Sequence, residues 1–470
     1  MSVLIGGVQA VTMDPSLGIV DRCDILIGDN GRILDVAESP SPMPEGVTDV
    51  LDGDGLIAIP GLIDTHRHAW LELFRGLTAD MTVRDYRQLT KSGLAEHVTP
   101  EAVRLATLVG DLVALEAGIT TVADLAHIGR TRDHLEASVQ GHQDSEIRAV
   151  LAHTPPNGDS KNWYAASERR HPREIRWLRD ILHGDDALVT LAMGARPRHC
   201  VAQGVMEDDV AVARELGVRL IYDGIGAATG GGGEVSRWSH EDHRTIAGLV
   251  RSGLLGPDMG FVHGNHLTED ELALIADHGA GLSVAPEVEM LSGYGLPVFG
   301  RDLVQPGLTL ALSTDVATYV APSLLSAMRT MLMLARGRAA SRAYDLQRDE
   351  PPLVPALSAL GAATTAAARF LGLERRIGSL SPGKDADVTL VDRRGVHLSG
   401  VRDPVAAVVL FAHAGDVRHV LVRGRILKRD HAIAHAGLAG LAGELGELGS
   451  RILDQHRVRR GDEASPTWNF

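Results

Sequence analysis

The sequence predicts an α/β chain folded as a (β/α)8 TIM barrel, with a small β-sandwich domain assembled from its N- and C-terminal segments. In the middle of the chain, short apolar runs alternate with amphipathic stretches, the pattern of repeated βα units around a parallel sheet. Both flanks of that segment instead have a β texture without helical periodicity. A length of 470 residues suits one barrel with inserted loops and one small companion domain. The boundaries read as 1–55 for the first part of the β domain, 56–375 for the barrel, 376–436 for the second part and 437–470 for a C-terminal helix and tail.

In chain order, β-type runs at Ser2 to Met13, Asp24 to Ile27 and Arg32 to Val36 surround the turn residues Gly28-Asp29-Asn30-Gly31, which reads as a hairpin. Eight barrel strands follow: Leu56 to Asp64, Thr120 to Leu125, Ile147 to Ala152, Leu188 to Met193, Val218 to Asp223, Met259 to His263, Gly281 to Ala285 and Leu308 to Ser313. Helices are expected between them, among them Glu101 to Ala117, Asp208 to Leu216, Glu269 to His278 and Pro322 to Arg336. The four glycines Gly230 to Gly233 read as a mobile loop after the fifth strand. A helix at Ala356 to Leu371 leads back to β-type runs at Ala386 to Val391, Val405 to Phe411 and Val417 to Val422, and Leu438 to Arg459 reads as a closing helix.

Composition narrows the function. A net charge of −15 repels phosphate backbones and anionic headgroups, which argues against nucleic acid and membrane partners and for a small-molecule substrate. Two cysteines, Cys23 and Cys200, cannot form a disulfide framework in a chain this long, and the opening residues carry no export pattern. A cytoplasmic protein is the expectation.

The chemistry clusters at strand ends. In Asp64-Thr65-His66-Arg67-His68 the two histidines are two residues apart, so on a strand they share a face and can grip one ion. His263 closes the sixth strand and Asp315 follows the eighth. Barrel active sites lie at that end of the strands. Glu287 and Glu289, just past the seventh strand, are candidate proton carriers. His127, Trp70 and Tyr222 are candidate substrate contacts, with a satisfied loop histidine as the competing explanation for the first and packing for the second.

These motifs, together with Ala117-Gly118-Ile119-Thr120-Thr121-Val122 and Gly378-Ser379-Leu380-Ser381-Pro382-Gly383-Lys384-Asp385-Ala386-Asp387, resemble the amidohydrolase superfamily over nearly the whole chain. The nearest resemblance is to its cytosine-deaminase-like and chlorohydrolase-like aminohydrolase branch. The resemblance implies hydrolysis of a non-peptide carbon–nitrogen bond in a small nitrogen-rich or cyclic molecule. It also implies one divalent metal, zinc first and iron or manganese next, held by His66 and His68, a strand-five residue and Asp315. Asp315 doubles as the base that takes a proton from the attacking water, and His263 hydrogen-bonds water or substrate. Strand four ends Leu191-Ala192-Met193-Gly194-Ala195-Arg196-Pro197 without the lysine of two-metal relatives, which implies a single ion. A homo-oligomer is compatible with the resemblance.

The pattern breaks at strand five. Asp223 stands where the family has its histidine, and Gly226 where its deaminases have a proton-shuttling glutamate. Asp223 is a chemically suitable ligand. The departures keep two alternatives open: a metal-free barrel catalysing elimination, ring opening or cyclisation, and a binding protein that retains only the scaffold. Specificity is expected in the loops Thr154 to His171, Ile225 to Ser239 and Leu291 to Phe299.

Overall fold

The structure is a computed structural model that describes residues 2–41, 46–156, 159–164, 166–184, 186–202, 204–225, 245–298, 307–347 and 353–460. Eight parallel strands run in chain order around one sheet: β6 (Leu62–Arg67), β7 (Ile119–Ala126), β8 (Arg148–His153), β9 (Val189–Ala195), β10 (Arg219–Ile225), β11 (Met259–His263), β12 (Gly281–Val284) and β13 (Thr309–Leu312). The sheet is brought round on itself at the site. Asp315 N donates to His66 O at 3.0 Å and His68 N donates to Asp315 O at 3.1 Å, a parallel bridge joining the first and last strands. Strands such as β7 and β8 are buried along their whole length, as expected where helices cover the outside and side chains fill the inside.

The barrel interior contains Ile63, Ala123, Val150, Ala152, Ile221, Val262 and Ala311, and Phe370 plugs it from below. That plug explains two glycines. A Cβ on Gly260 or Gly281 would stand 2.6 or 2.8 Å from the Phe370 ring, so the ring enters only because both positions lack side chains.

Strands from both ends of the chain build a second, nine-stranded sheet: β1 (Ser2–Val11), β2 (Ile19–Ile27), β3 (Ile33–Glu38), β4 (Val47–Asp52), β5 (Leu56–Pro60), β14 (Val388–Asp392), β15 (Val417–Val422), β16 (Arg425–Arg429) and β17 (Ala432–Ile433). The two ends meet where β5 pairs antiparallel with β14. The turn at Gly31 also packs on the turn at Gly424, and Ala386 N donates to Gly31 O at 2.9 Å.

Three sequence expectations change. The run Leu56 to Asp64 is two strands: β5 belongs to the small sheet, Gly61 breaks the chain, and the first barrel strand continues to Arg67. Gly61 packs so tightly on Thr120 that a Cβ would lie 2.1 Å from its hydroxyl. Val405 to Phe411 is helical rather than extended, because Asp403 caps the turn by accepting from Val405 N and Ala406 N, and Pro404 opens it. Ala356 to Leu371 is two helices, Ala356–Ala362 and Thr365–Leu371, separated at Ala363 and Thr364, where Ala363 O accepts from Ile63 N at 2.9 Å. Both cysteines are free and buried, and among the described residues no helix is long and apolar enough to cross a membrane.

Candidate active site

Three imidazoles and two carboxylates converge at the C-terminal mouth of the barrel. The register of β6 against β7 shifts between Asp64 and Arg67, and beyond that irregularity both histidines reach the mouth. His66 Nε2 lies 3.3 Å from Asp315 Oδ1 and 3.8 Å from Asp223 Oδ1. His68 Nε2 lies 3.7 Å from Asp315 and 3.8 Å from Asp223, and His263 Nε2 lies 3.3 Å from Asp223 and 3.8 Å from Asp315. Ligand atoms of His66, His68 and Asp315, and likewise of His66, Asp223 and His263, lie within 4.8 Å of one another.

Hydrogen bonds outside the mouth fix which nitrogen each ring offers. His68 donates from Nδ1 to Leu125 O at 2.9 Å, and His263 Nδ1 meets Glu289 Oε1 at 3.1 Å. Each ring thus turns Nε2 inward, the arrangement in which an outer acceptor orients a metal-binding imidazole. Glu289 is wholly buried and also accepts from Ala285 N and Asn265 Nδ2. His66 is the exception: it is fully buried, and neither ring nitrogen has a hydrogen-bond partner among the described residues. A buried imidazole left unbonded is destabilising unless something absent from the protein atoms completes it. The donor set, three nitrogens and two carboxylates, suits zinc, iron or manganese.

Two site residues, His263 at φ 76° and Asp315 at φ 58°, occupy the left-handed region. Such backbones cost on the order of 1–3 kcal/mol each and cluster at functional sites. Electrostatics agree with the geometry. Burial alone would raise the Asp315 carboxyl, but His66, His263 and His68 outweigh it and hold it at about 2. Burial likewise opposes ionisation of Asp223, and contact with His263 together with the charges of His66, Lys91 and His68 hold it well below the ordinary carboxylate range. His68 falls to about 4, through burial first and then its neighbour His66.

The remaining candidates divide. His127 is buried beside the mouth, its ring centroid 3.9 Å from that of His68, and burial followed by the charges of His68 and Lys91 keeps it neutral. Trp70 is not an exposed wall for substrate: it is 1% exposed and donates from Nε1 to His127 Nδ1 at 3.1 Å, so it positions that ring from behind. Tyr222 is displaced by strand parity. Ile221 points into the barrel, Tyr222 points out to stack on Phe261 at 5.3 Å, and Asp223 returns to the mouth. Glu287 also faces away, accepting from Thr330 Oγ1 at 2.9 Å and from Ser326 Oγ. Gly226 and most of the loop Ile225 to Ser239, with Gly230 to Gly233, lie outside the described residues.

Four features had no place in the sequence reading. Asn265 holds Glu289. Arg67, between the paired histidines, turns outward to Glu72 at 2.6 Å. Asp124 accepts from Ala69 N at 2.9 Å, anchoring the chain beyond His68, and His142 lies between Asp111 and Asp124. Helix Val83–Thr90 brings Tyr86 and Arg87, with Lys91 just beyond, to the mouth. The capping pair Thr82 and Asp85 was a readable signal for that helix.

A family model described as the Amidohydrolase family matches residues 57–427. A 5'-deoxyadenosine deaminase of Methanothermobacter thermautotrophicus is 28% identical over 439 residues, covering 91% of this chain and 93% of the relative. A 5-methylthioadenosine/S-adenosylhomocysteine deaminase of Symbiobacterium thermophilum is 29% identical over 385 residues, covering 81% of this chain and 83% of the relative. Among solved structures, an adenosine deaminase from Xanthomonas campestris with bound zinc superposes with a TM-score of 0.80 at 21% identity, covering 96% of this chain and 98% of that one. Atrazine chlorohydrolase from Arthrobacter aurescens complexed with zinc gives 0.82 at 22% identity, covering 95% and 100%. These two establish the shared fold, and the family match over most of the chain establishes descent: the protein belongs to the amidohydrolase family.

Proposed function

We propose that this amidohydrolase removes an amino group from a small nitrogen-containing ring by hydrolysis, with one divalent ion, zinc first, held by His66, His68, Asp223 and Asp315. As a hydrolase of carbon–nitrogen bonds other than peptide bonds, it has relatives named as adenosine-type deaminases, which makes aminopurine nucleosides the first substrates to test. The observation that carries the reading is His66, buried with both nitrogens unbonded at the centre of four facing side chains.

A bound divalent ion lowers the pKa of water towards about 7 and polarises the bond under attack. The protein's own groups do the rest. Asp315 takes a proton from the water that adds to the ring carbon. His263, oriented by Glu289, hydrogen-bonds the oxygen added there. As the carbon–nitrogen bond breaks, the proton goes to the departing nitrogen, so water is consumed and ammonia leaves. His127 and Tyr294 flank the space where a ring would lie, and Asp315 together with His263 stands in for the shuttle that the family's deaminases place three residues after their strand-five histidine.

Elemental analysis of the purified protein tests this. About one zinc, iron or manganese per chain is expected, and a metal-replete preparation with none refutes it. The His66→Ala variant should lose both the ion and turnover of 5'-deoxyadenosine or 5'-methylthioadenosine while remaining folded. Turnover equal to the parent's would remove His66 from the mechanism. The Asp223→His variant should keep the ion and change the rate, and complete indifference would remove Asp223 from the ligand set.

A further inference from the structure

Among the described residues, two cations stand at the mouth with no ion pair to an acid. Arg87 and Lys91 are four residues apart at the end of helix Val83–Thr90, and therefore share a face. Arg87 donates to the Tyr294 hydroxyl at 3.3 Å, and its Nε is buried with no hydrogen-bond partner among the described residues. A Cβ built on Gly224, the neighbour of Asp223, would lie 4.0 Å from the Arg87 Nη2. Tyr294 itself lies against His263, ring centroids 4.8 Å apart. The Lys91 ammonium forms no hydrogen bond or ion pair among the described residues; only its backbone N–H is bonded, to Arg87 O at 3.0 Å. It is nonetheless near enough to feel both Asp223 and Asp315, which oppose the drop to about 8 that burial and Arg87 impose. Like charges four apart on a helix repel, and an unpaired cation withdrawn from water is unfavourable.

The charge count gives the pair a purpose. In the protein alone, Arg87 and Lys91 offset Asp223 and Asp315, while His263 faces Glu289. The reading of the mouth as a metal centre, on which this inference rests, adds two positive charges and leaves the two cations uncompensated. We propose that Arg87 and Lys91, with the Tyr294 hydroxyl, form a subsite for a carboxylate carried by the substrate, so that the preferred substrates are nitrogen-containing rings bearing an acid group. A guanidinium fork beside a flexible ammonium is suited to a carboxylate, and each charge-assisted bond is stronger than a neutral one.

The probe is glutarate, with neutral glutaramide as control, titrated calorimetrically into zinc-loaded protein whose zinc content is measured for every variant. The parent should bind glutarate and not glutaramide. The Arg87→Gln, Lys91→Gln double variant should weaken glutarate at least about tenfold with zinc unchanged, and each single variant should weaken it less. Equal affinity in parent and double variant means that the carboxylate sits on the ion alone and overturns the proposal. So does a zinc-loaded parent that ignores 10 mM glutarate, taking about 10 mM as the weakest affinity such a charge-assisted subsite should show. A parent that never takes up zinc overturns the metal reading and this inference with it, an outcome the zinc measurement separates from the other two.

Discussion

At the base of the barrel Arg148 gives Nε and Nη2 to Asp387 and Asp385, each at 2.9 Å, while at the mouth His66 has neither nitrogen bonded. Both residues are buried polar groups on strands of the same sheet, Arg148 at the start of β8 and His66 near the end of β6, yet their surroundings differ in kind. The base carboxylates are each met by a further donor, Asp387 by Arg423 N at 2.8 Å and Asp385 by Arg376 at 3.0 Å. The mouth carboxylates sit among imidazoles at 3.3 to 3.8 Å, too far for strong hydrogen bonds and suitably spaced for a shared ligand. Ion pairs at hydrogen-bond distance lock the small sheet to the barrel, whereas the groups at the mouth face one another at longer range. The motif ending Asp385-Ala386-Asp387 therefore contributes architecture, and the paired histidines are the part assigned to the proposed metal centre.

The largest effect expected from this contrast is on stability at the base. Replacing Arg148 by Ala removes the guanidinium shared by two buried carboxylates and should lower unfolding free energy by about 3–5 kcal/mol, read from denaturant midpoints, with turnover per folded molecule unchanged. A loss below about 1 kcal/mol would mean that the base is not held by this cluster.

His142 sharpens the comparison, because it is a saturated charge close behind the mouth. Burial opposes its protonation, but Asp111 at 2.7 Å and Asp124 at 3.4 Å raise it to about 9. Since this lies above the ordinary histidine value of about 6.5, the stabilisation is complete below pH of about 6.5 and is lost as pH rises towards about 9. The linkage is on the order of 3 kcal/mol. The His142→Gln variant should be less stable than the parent at pH of about 6, with the gap closing by pH of about 9. A gap that stays constant across that range removes the charged cluster from the account.

Glu289 tests the mouth itself. It touches no space open to substrate and acts through His263, which stands outside the proposed ligand set, so Glu289→Gln should lower kcat/KM by about 10- to 100-fold with zinc retained. The pH profile of kcat/KM, read with zinc affinity from chelator competition, distinguishes positioning from simple packing: a changed profile at unchanged affinity marks action through His263. Normal affinity and rate in a stable variant would reduce Glu289 to a structural residue.

Much of this was legible in the sequence for a definite reason. Barrel strands announce themselves as short apolar runs, and His66, His68, His263 and Asp315 could be placed because they stand at the ends of those runs. Val405 to Phe411 failed because a short apolar run does not by itself separate strand from helix, although Asp403-Pro404 was a readable helix start. Glu287 and Glu289 were treated alike because both follow strand seven. The turn of helix Pro286–Leu291 then sends residues two apart to different sides, one to Thr330 and the other to His263. The cations Arg87 and Lys91 were invisible as site residues because only tertiary folding carries their helix across the mouth.

Tyr222 is the smallest and most discriminating case. It neighbours Asp223, and adjacency in sequence suggested a shared site, but a strand turns neighbours to opposite faces. Its ring is 1% exposed, outside the barrel and stacked on Phe261. The Tyr222→Phe variant keeps the volume and the stack, so stability should change by less than about 1.5 kcal/mol and kcat/KM should match the parent. Asp223→Asn, one residue on, should by contrast impair metal retention. A tenfold fall in kcat/KM for Tyr222→Phe at unchanged stability would mean that β10 presents its other face to the mouth. The assignment of Asp223 to the metal centre would then fall as well, since the same alternation places both residues.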